Sequence, residues 1–256
     1  MATLHYLDPN PAGNPIVLLL HGLGANGSSW TLQFDPLVKE GFRPIAPDTP
    51  GFGASPYDGK GWSIQRSAAV MAKLLMDLNS NSAHVVGISM GGTIAQQIAL
   101  DFPMVVKNLV LVNTYSILRP TRLSGWLYFL QRFILVHTLG LPTQAKFVAA
   151  RIFPGEDQQV MRELLIEQIN QADPRAYRAA MRSLGFFKST PRLSQITVPT
   201  LVVTGDRDTT VSVASQRKLA EKIKGAKHVF IPDAGHAVTI DQPDLFNKEL
   251  LDFLRE

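Results

Sequence analysis

A serine stands between two glycines at a point where the predicted local structure changes. In Gly87–Gly91 (GISMG), Ser89 follows an apolar, β-branched run and precedes a helical pattern. A G-x-S-x-G turn between a strand and a helix is sharp and strained, and it exposes the serine hydroxyl at the C-terminal edge of a sheet. Glycines flank the serine because larger side chains would collide with the neighbouring strand and helix. The pattern is typical of a nucleophile, and we predict this role for Ser89.

A nucleophilic serine needs a general base, and the base needs an acid that orients it. Among six histidines, His236 lies in the loop after the last predicted strand and before the last predicted helix. The carboxyl ends of parallel strands meet at one edge of a sheet, so this loop is expected near Ser89. Asp206 and Asp208 follow the preceding strand, and both are candidates for the acid. Asn113 ends the strand before that one and is not a carboxylate, which weakens that location.

Acyl transfer also requires two N–H donors for the oxyanion, each worth roughly 2.7–4 kcal/mol of transition-state stabilisation. We predict the backbone N–H of Met90, directly after the serine, as one donor. The loop after the apolar run Ile16–Leu20 reads His21-Gly22-Leu23-Gly24. Its glycines allow the main chain to turn an N–H inward, and Leu23 is the predicted second donor. His21 is predicted to brace this loop.

Alternating β and α patterns place these residues on a doubly wound, parallel sheet. Helical patterns occur at Ile64–Leu78, Val213–Lys224 and Pro243–Arg255. Buried strands are predicted at 16–20, 44–46, 85–86, 109–112, 201–203 and 229–231.

One long segment interrupts this alternation, because residues 115–189 show helical stretches and no strand pattern. Residues 115–190 hold ten Lys or Arg against five Asp or Glu, so the chain's net charge of +4 is concentrated there. We predict a helical cap at 115–189, inserted into a core formed by 1–114 and 190–256.

The composition of the chain excludes some kinds of site and makes others improbable. The 256 residues contain no cysteine, which excludes disulfides and thiolate metal sites. The N-terminus lacks a signal-peptide pattern, and no apolar run reaches the roughly 20 residues of a membrane span. Basic residues form no long cluster, which speaks against nucleic-acid binding. A soluble, cytoplasmic protein is the default expectation, and the oligomeric state is left open.

The motifs together resemble the α/β-hydrolase superfamily along the whole chain, and in particular its small capped serine carboxylesterases and enol-lactonases. The resemblance rests on the serine turn, HGLG at 21–24, DTPGFGAS at 48–55, and GDRD at 205–208 with GH at 235–236. It implies an α/β-hydrolase fold, a mostly parallel sheet with an inserted helical cap. In this fold the later carboxylate reaches the histidine, which implies Asp208 as the acid and Asp206 as a turn residue. The short N-terminal segment implies that the leading antiparallel hairpin of the fold is trimmed.

The resemblance implies a serine hydrolase that cleaves carboxylic esters through an acyl-enzyme, with a small-molecule ester and water as substrates. No metal or organic cofactor is implied. Dehalogenases and epoxide hydrolases of this fold use an aspartate nucleophile, so a serine at position 89 argues against both. Four alternatives stay open: an enol-lactonase, a carbon–carbon bond (meta-cleavage product) hydrolase, a cofactor-free perhydrolase or haloperoxidase, and a non-catalytic small-molecule receptor. Ala237 argues against a carbon–carbon bond hydrolase without excluding it, because enzymes of that class often carry tryptophan directly after the histidine.

Four residues are predicted to contact the substrate: Gly22, Trp30, Trp126 and Phe129. Trp30 resembles the aromatic residue that closes the oxyanion loop. Trp126 and Phe129 belong to the apolar segment 124–141, which would line an acyl pocket, lean on a lipid surface or simply pack on the core. Further along the predicted cap, Arg175, Arg178 and Arg182 recur at helical spacing. They form either a solvated basic face or a positive rim that steers anionic acyl substrates.

Overall fold

The computed structural model describes residues 4–118 and 123–256 and confirms the α/β-hydrolase fold. These residues form a seven-stranded sheet in the order β1-β3-β2-β4-β5-β6-β7, parallel except for β1, which pairs antiparallel with β3. The strands are β1 (Tyr6–Leu7), β2 (Ile16–Leu20), β3 (Arg43–Pro47), β4 (Ala83–Ile88), β5 (Val106–Val112), β6 (Thr200–Gly205) and β7 (Lys227–Ile231). The two-residue β1 is the only strand before β2 within residues 4–15.

Helices cover both faces of the sheet because alternate side chains of each central strand point to opposite sides. Leu18 and Leu20 of β2 join one buried cluster, whereas Val17 and Leu19 join the other. The helices are α1 (Thr31–Lys39), α2 (Ile64–Asp77), α3 (Met90–Asp101), α4 (Leu123–Thr138), α5 (Gly140–Ile152), α6 (Gln159–Gln171), α7 (Pro174–Phe186), α8 (Val213–Lys222), α9 (Val238–Asp241) and α10 (Pro243–Arg255). Among the described residues, none of them has the length and apolar character needed to cross a membrane.

Helices α4 to α7 lie between β5 and β6, within the segment 115–189 predicted as a cap. Its two ends meet at an isolated antiparallel bridge between Ile117 and Lys188. The backbone N–H of Ser189 donates to the carbonyl of Ser116 at 2.9 Å. The polypeptide therefore leaves and re-enters the sheet layer at one place, as an insertion requires. The division into core and cap as separate units stays a prediction.

The strand order changes direction between β2 and β4, since β3 lies on one side of β2 and β4 on the other. In open α/β sheets, ligands bind at the carboxyl ends of the strands at such a switch point. The loop after β2 carries Leu23, and the turn after β4 carries Ser89. The fold thus brings both predicted site elements to the same edge.

Candidate active site

Ser89 occupies the bend between β4 and α3 with a backbone conformation that few non-glycine residues adopt, φ 53° and ψ −112°. Its N–H donates to the carbonyl of Val112 at 2.9 Å, and its carbonyl accepts from Thr114 Oγ1 at 2.8 Å. These hydrogen bonds to β5 and the residues after it hold the strained turn in place.

The predicted need for glycines beside Ser89 is confirmed by what a side chain would meet there. A Cβ at Gly87 would overlap the carbonyl of Gly91, at the start of α3. A Cβ at Gly91 would overlap the carbonyl of Leu20, the last residue of β2. The turn is sharp enough that helix, nucleophile strand and neighbouring strand all approach within backbone contact.

Asp208 and His236 form a buried pair, with His236 Nδ1 3.0 Å from Asp208 Oδ2. The same Oδ2 accepts from Gln216 Nε2 at 3.0 Å, and Oδ1 accepts from the backbone N–H groups of Thr210 and Val211. An ionised carboxylate only accepts, so the proton on the imidazole lies on Nδ1 and Nε2 is the basic nitrogen. Asp206, the other candidate, is exposed.

Ser89 and His236 line the same cavity, but no hydrogen bond joins them in the described part of the chain. In unliganded hydrolases this bond is often long and tightens only when substrate binds. The hydrogen bond between Asp208 and His236 is therefore observed, whereas their roles as acid and base and a complete Ser89–His236–Asp208 triad stay predictions.

His21 holds the loop that carries the predicted donor Leu23. Its Nε2 accepts from the backbone N–H of Thr49 at 3.0 Å, so Nδ1 carries the proton and donates to the carbonyl of Gly22 at 2.8 Å. Burial lowers the pKa of His21, which keeps the ring neutral. Because the C=O and N–H of one trans peptide point in opposite directions, pinning the Gly22 carbonyl fixes the opposite direction for the Leu23 N–H.

The Leu23 N–H makes no hydrogen bond within residues 4–118 and 123–256. Met90 begins α3, where backbone N–H groups have no acceptor inside the helix. Both groups are thus available to an incoming oxygen. Their joint action as an oxyanion hole remains the prediction made from the sequence.

Asn113 is a structural centre of the site that the sequence analysis treated only as a missing carboxylate. Its side chain is buried at the end of β5, and its Nδ2 donates to the carbonyls of Gly235 and His236 at 2.8 and 2.9 Å. Its Oδ1 accepts from the N–H of Gly205 at 2.8 Å. The amide therefore joins β5, β6 and the histidine loop. The adjacent Asp241 also holds this loop, because its Oδ2 accepts from the Gly235 N–H at 2.8 Å.

Two mainly apolar cavities meet at Ser89. The larger, about 470 Å³, lies between the loop after β2, the loop that carries His236 and helices α4 to α6. The smaller, about 300 Å³, lies between α4, α7 and the loop after β6. Ser89, Leu23, Arg132 and Thr210 line both. The space around Ser89 therefore extends on two sides.

The predicted substrate residues divide between these cavities. Gly22 and Trp30 line the larger one, and Trp30 is otherwise buried against Phe246 at a ring distance of 6.3 Å. Trp126 and Phe129 line the smaller one, although 58% of Trp126 is exposed. Of the three arginines considered for a rim, Arg182 lines the smaller cavity. Substrate contact by Gly22, Trp30, Trp126 and Phe129 stays a prediction.

Arg132, to which the sequence analysis gave no role in the site, lies buried in α4. Its Nη2 donates to Tyr177 Oη at 3.1 Å. The Gln144 amide, oriented by its partners, accepts from Arg132 Nε at 2.8 Å. Its guanidinium carbon also lies 5.7 Å from the centre of the Tyr128 ring. A guanidinium held by neutral groups at the wall of both cavities is an unusual feature, because a buried arginine is normally paired with a carboxylate.

Comparison with known proteins assigns the class. Residues 17–249 match the model of the alpha/beta hydrolase family. The chain belongs to this family, and its class of activity is hydrolysis.

Three relatives show the range of named activities. A RutD protein of Variovorax paradoxus (strain S110), provisionally named as a carbamate hydrolase, is 32% identical to this chain. The alignment covers 98% of this chain and 96% of that protein. The enol-lactonase from Burkholderia xenovorans LB400 is 29% identical with a TM-score of 0.89, covering 99% of this chain and 96% of that one. A thermophilic esterase from Thermogutta terrifontis is 27% identical with a TM-score of 0.84, covering 98% and 93%. All three align with nearly the whole chain.

Proposed function

We propose that this protein hydrolyses carboxylic esters through an acyl-enzyme intermediate formed on Ser89. The observation that carries the proposal is the buried hydrogen bond between Asp208 and His236, at the wall of the cavity that also exposes Ser89. An imidazole whose Nδ1 is held by a carboxylate presents a basic Nε2 to a nucleophile. The strained turn at Ser89 supports the same role, since such turns present a catalytic hydroxyl above the sheet.

In the proposed reaction, Ser89 Oγ attacks the acyl carbon and its proton passes to His236 Nε2. Asp208 stabilises the resulting imidazolium, and the N–H groups of Leu23 and Met90 donate hydrogen bonds to the negatively charged carbonyl oxygen. His236 then returns the proton to the leaving alcohol. Water, activated by the same nitrogen, attacks the acyl-enzyme and releases the acid and Ser89.

A lactone is the second candidate substrate. The 29% identical neighbour is an enol-lactonase with a TM-score of 0.89, and opening a lactone needs the same nucleophile, base and oxyanion donors. The carbamate hydrolase name of the Variovorax paradoxus relative adds carbamates to the compounds worth testing.

The test compares hydrolysis of p-nitrophenyl esters from acetate to palmitate, together with lactones and alkyl carbamates, by the wild type and three variants. Ser89→Ala should abolish turnover and labelling by a fluorophosphonate. Asp208→Asn should lower kcat by about a thousandfold or more, because it disturbs the tautomer and the imidazolium. Asp206→Asn, which removes an exposed carboxylate two residues away, is the matched control and should stay within about threefold of wild type.

Equal losses in the two aspartate variants would refute Asp208 as the orienting acid. If the wild type hydrolyses no compound and a fluorophosphonate fails to label Ser89, the catalytic proposal is wrong and the receptor alternative gains support. Labelling without turnover would instead mean that the nucleophile is competent and the substrate class is different.

A further inference from the structure

Arg132 is a buried cation without an acidic partner. Only 8% of the residue is exposed, and no Asp or Glu lies within 4.0 Å of its guanidinium in residues 4–118 and 123–256. The seven remaining residues, at 1–3 and 119–122, include no Asp or Glu in the sequence. An arginine side chain stays charged at any physiological pH, and burying that charge without a counter-ion is costly.

The neutral groups around Arg132 fix its orientation without neutralising it. Tyr177 Oη and the Gln144 amide oxygen accept from Nη2 and Nε, so these contacts hold one side of the planar group. Nη1 makes no hydrogen bond of acceptable geometry in the described part of the chain, although the Tyr128 side chain also lies close to the guanidinium. A guanidinium with a free edge is suited to a carboxylate, which accepts two parallel hydrogen bonds from it.

The free charge lies at the wall of the cavities where Ser89 is exposed. Arg132 lines both, and no Asp or Glu among the described residues lines either of them. The surroundings are otherwise mainly aliphatic and aromatic. In such an environment an ion pair with a ligand is much less screened than at the surface.

We propose that the natural substrate carries an ionised carboxylate that binds Arg132 while its ester or lactone carbonyl lies at Ser89. Short dicarboxylic acid monoesters, or lactones bearing a carboxylate, are the corresponding chemical class. This inference rests on the proposed hydrolase function and specifies its substrate.

The test uses pairs of esters that differ only in charge. Monomethyl esters of the C4 to C8 diacids are compared with the methyl esters of their monoamides, which are neutral and nearly the same size. A second series places the carboxylate on the alcohol side: acetate esters of short hydroxy acids and of the matching hydroxy amides. The release of methanol or acetate gives kcat/KM for each member, after subtraction of spontaneous hydrolysis.

In the wild type, we expect one series to favour the acid over the amide by about 10- to 150-fold, the value of a hydrogen bond to a charged group. The difference should lie mainly in KM. In Arg132→Met the ratio of acid to amide should fall to about one. Arg132→Lys should give an intermediate ratio, because it keeps the charge and loses the two-pronged geometry.

Arg178→Met is the matched control, since Arg178 belongs to the same predicted cap, is partly exposed and lines neither cavity. It removes the same charge and should leave the ratio near the wild-type value. Retained labelling of Ser89 by a fluorophosphonate and an unchanged melting temperature show that each variant is folded. If Arg132→Met is not labelled or melts at a lower temperature, the test rests on Arg132→Lys alone. An acid-to-amide ratio in Arg132→Lys equal to that of the wild type then refutes two-pronged binding.

Equal rates for acid and amide in both series of the wild type would overturn the carboxylate proposal and leave the hydrolase proposal intact. An equal drop in Arg178→Met would also overturn it, because it would indicate diffuse attraction by the cap charge. If no ester turns over, the ability of each acid and amide to protect Ser89 from the fluorophosphonate is measured instead. Protection by the acid but not by the amide, lost in Arg132→Met, supports the proposal. Equal protection by acid and amide in the wild type refutes it. Absence of labelling refutes the hydrolase proposal itself.

Discussion

We predict that His84 makes the stability of the fold sensitive to acid. The ring lies in β4 with 0% exposure, edge-on to Phe42 at 5.6 Å, and neither ring nitrogen has a hydrogen-bond partner in the described residues. Burial, and secondarily the charge of Lys107, lower its pKa from 6.5 to about 4. Protonating this ring in the native state would bury an unpaired charge.

The magnitude follows from linkage between protonation and folding. The unfolded chain takes up a proton at His84 near pH 6.5, whereas the folded chain resists until about pH 4. Stability is therefore lost as the pH falls through this window. The loss at pH 5 relative to pH 7.5 is about 2 kcal/mol, rising to about 3 kcal/mol at pH 4.

The assay is urea unfolding at pH 7.5 and pH 5.0 for the wild type and His84→Leu. The wild type should lose about 2 kcal/mol more than the variant between the two pH values. His21 and His228, whose pKa values burial also lowers, are present in both proteins, so their contribution cancels. His137→Leu, at an exposed position of α4, should keep the wild-type difference. Parallel pH dependence of the wild type and His84→Leu would refute the reasoning, because it would mean that the native ring accepts a proton as easily as the unfolded one.

Two further substitutions test the framework around the site. Asn113→Ala removes three buried hydrogen bonds between β5, β6 and the histidine loop, so we expect about 2–3 kcal/mol of lost stability and labelling of Ser89 by a fluorophosphonate slowed by about tenfold or more. Asn108→Ala, at a buried asparagine within β5, is its control, and equal slowing there would contradict the bracing role. Gly91→Ala should cost about 2–3 kcal/mol in urea unfolding, because the new Cβ overlaps the last carbonyl of β2. Gly185→Ala, where the same atom meets open space in α7, should be neutral or stabilising by about 0.5–1 kcal/mol, and similar losses in both variants would contradict this steric explanation.

The sequence predicted the elements whose signals are local. The apolar run Ile16–Leu20 and the helix Pro243–Arg255 coincide with β2 and α10, because buried parallel strands and amphipathic helices have distinct periods. The serine turn was recognisable for the same reason, since its glycines are required by contacts within a few residues or with one neighbouring strand. The choice of Asp208 over Asp206 came instead from resemblance to the fold, and the buried contact with His236 agrees with it.

The roles of residues that contact distant parts of the chain could not be predicted from local sequence patterns. Asn113 contacts backbone groups 92 to 123 residues further along the chain. Nothing beside it in the sequence distinguishes a bracing amide from an ordinary residue at a strand end. Its unusual backbone, with φ 42°, is likewise visible only in the folded chain.

The positive charge of the predicted cap is a second feature that the sequence located only in part. Composition located the positive excess between 115 and 190, and periodicity directed attention to three arginines on α7. The structure pairs Arg175 with Asp173 at 2.8 Å on the surface, as expected for a solvated helix face. The buried arginine that lines both cavities is on α4, where the usual arrangement is inverted: Trp126 is 58% exposed and Phe133 45%, whereas Arg132 is 8% exposed. Predictions from hydrophobic periodicity place charged side chains on the solvent-exposed face of a helix. They therefore fail for α4, whose only arginine is buried. Such an inversion is costly for stability alone, and the proposed binding of a substrate carboxylate at Arg132 gives it a physical reason.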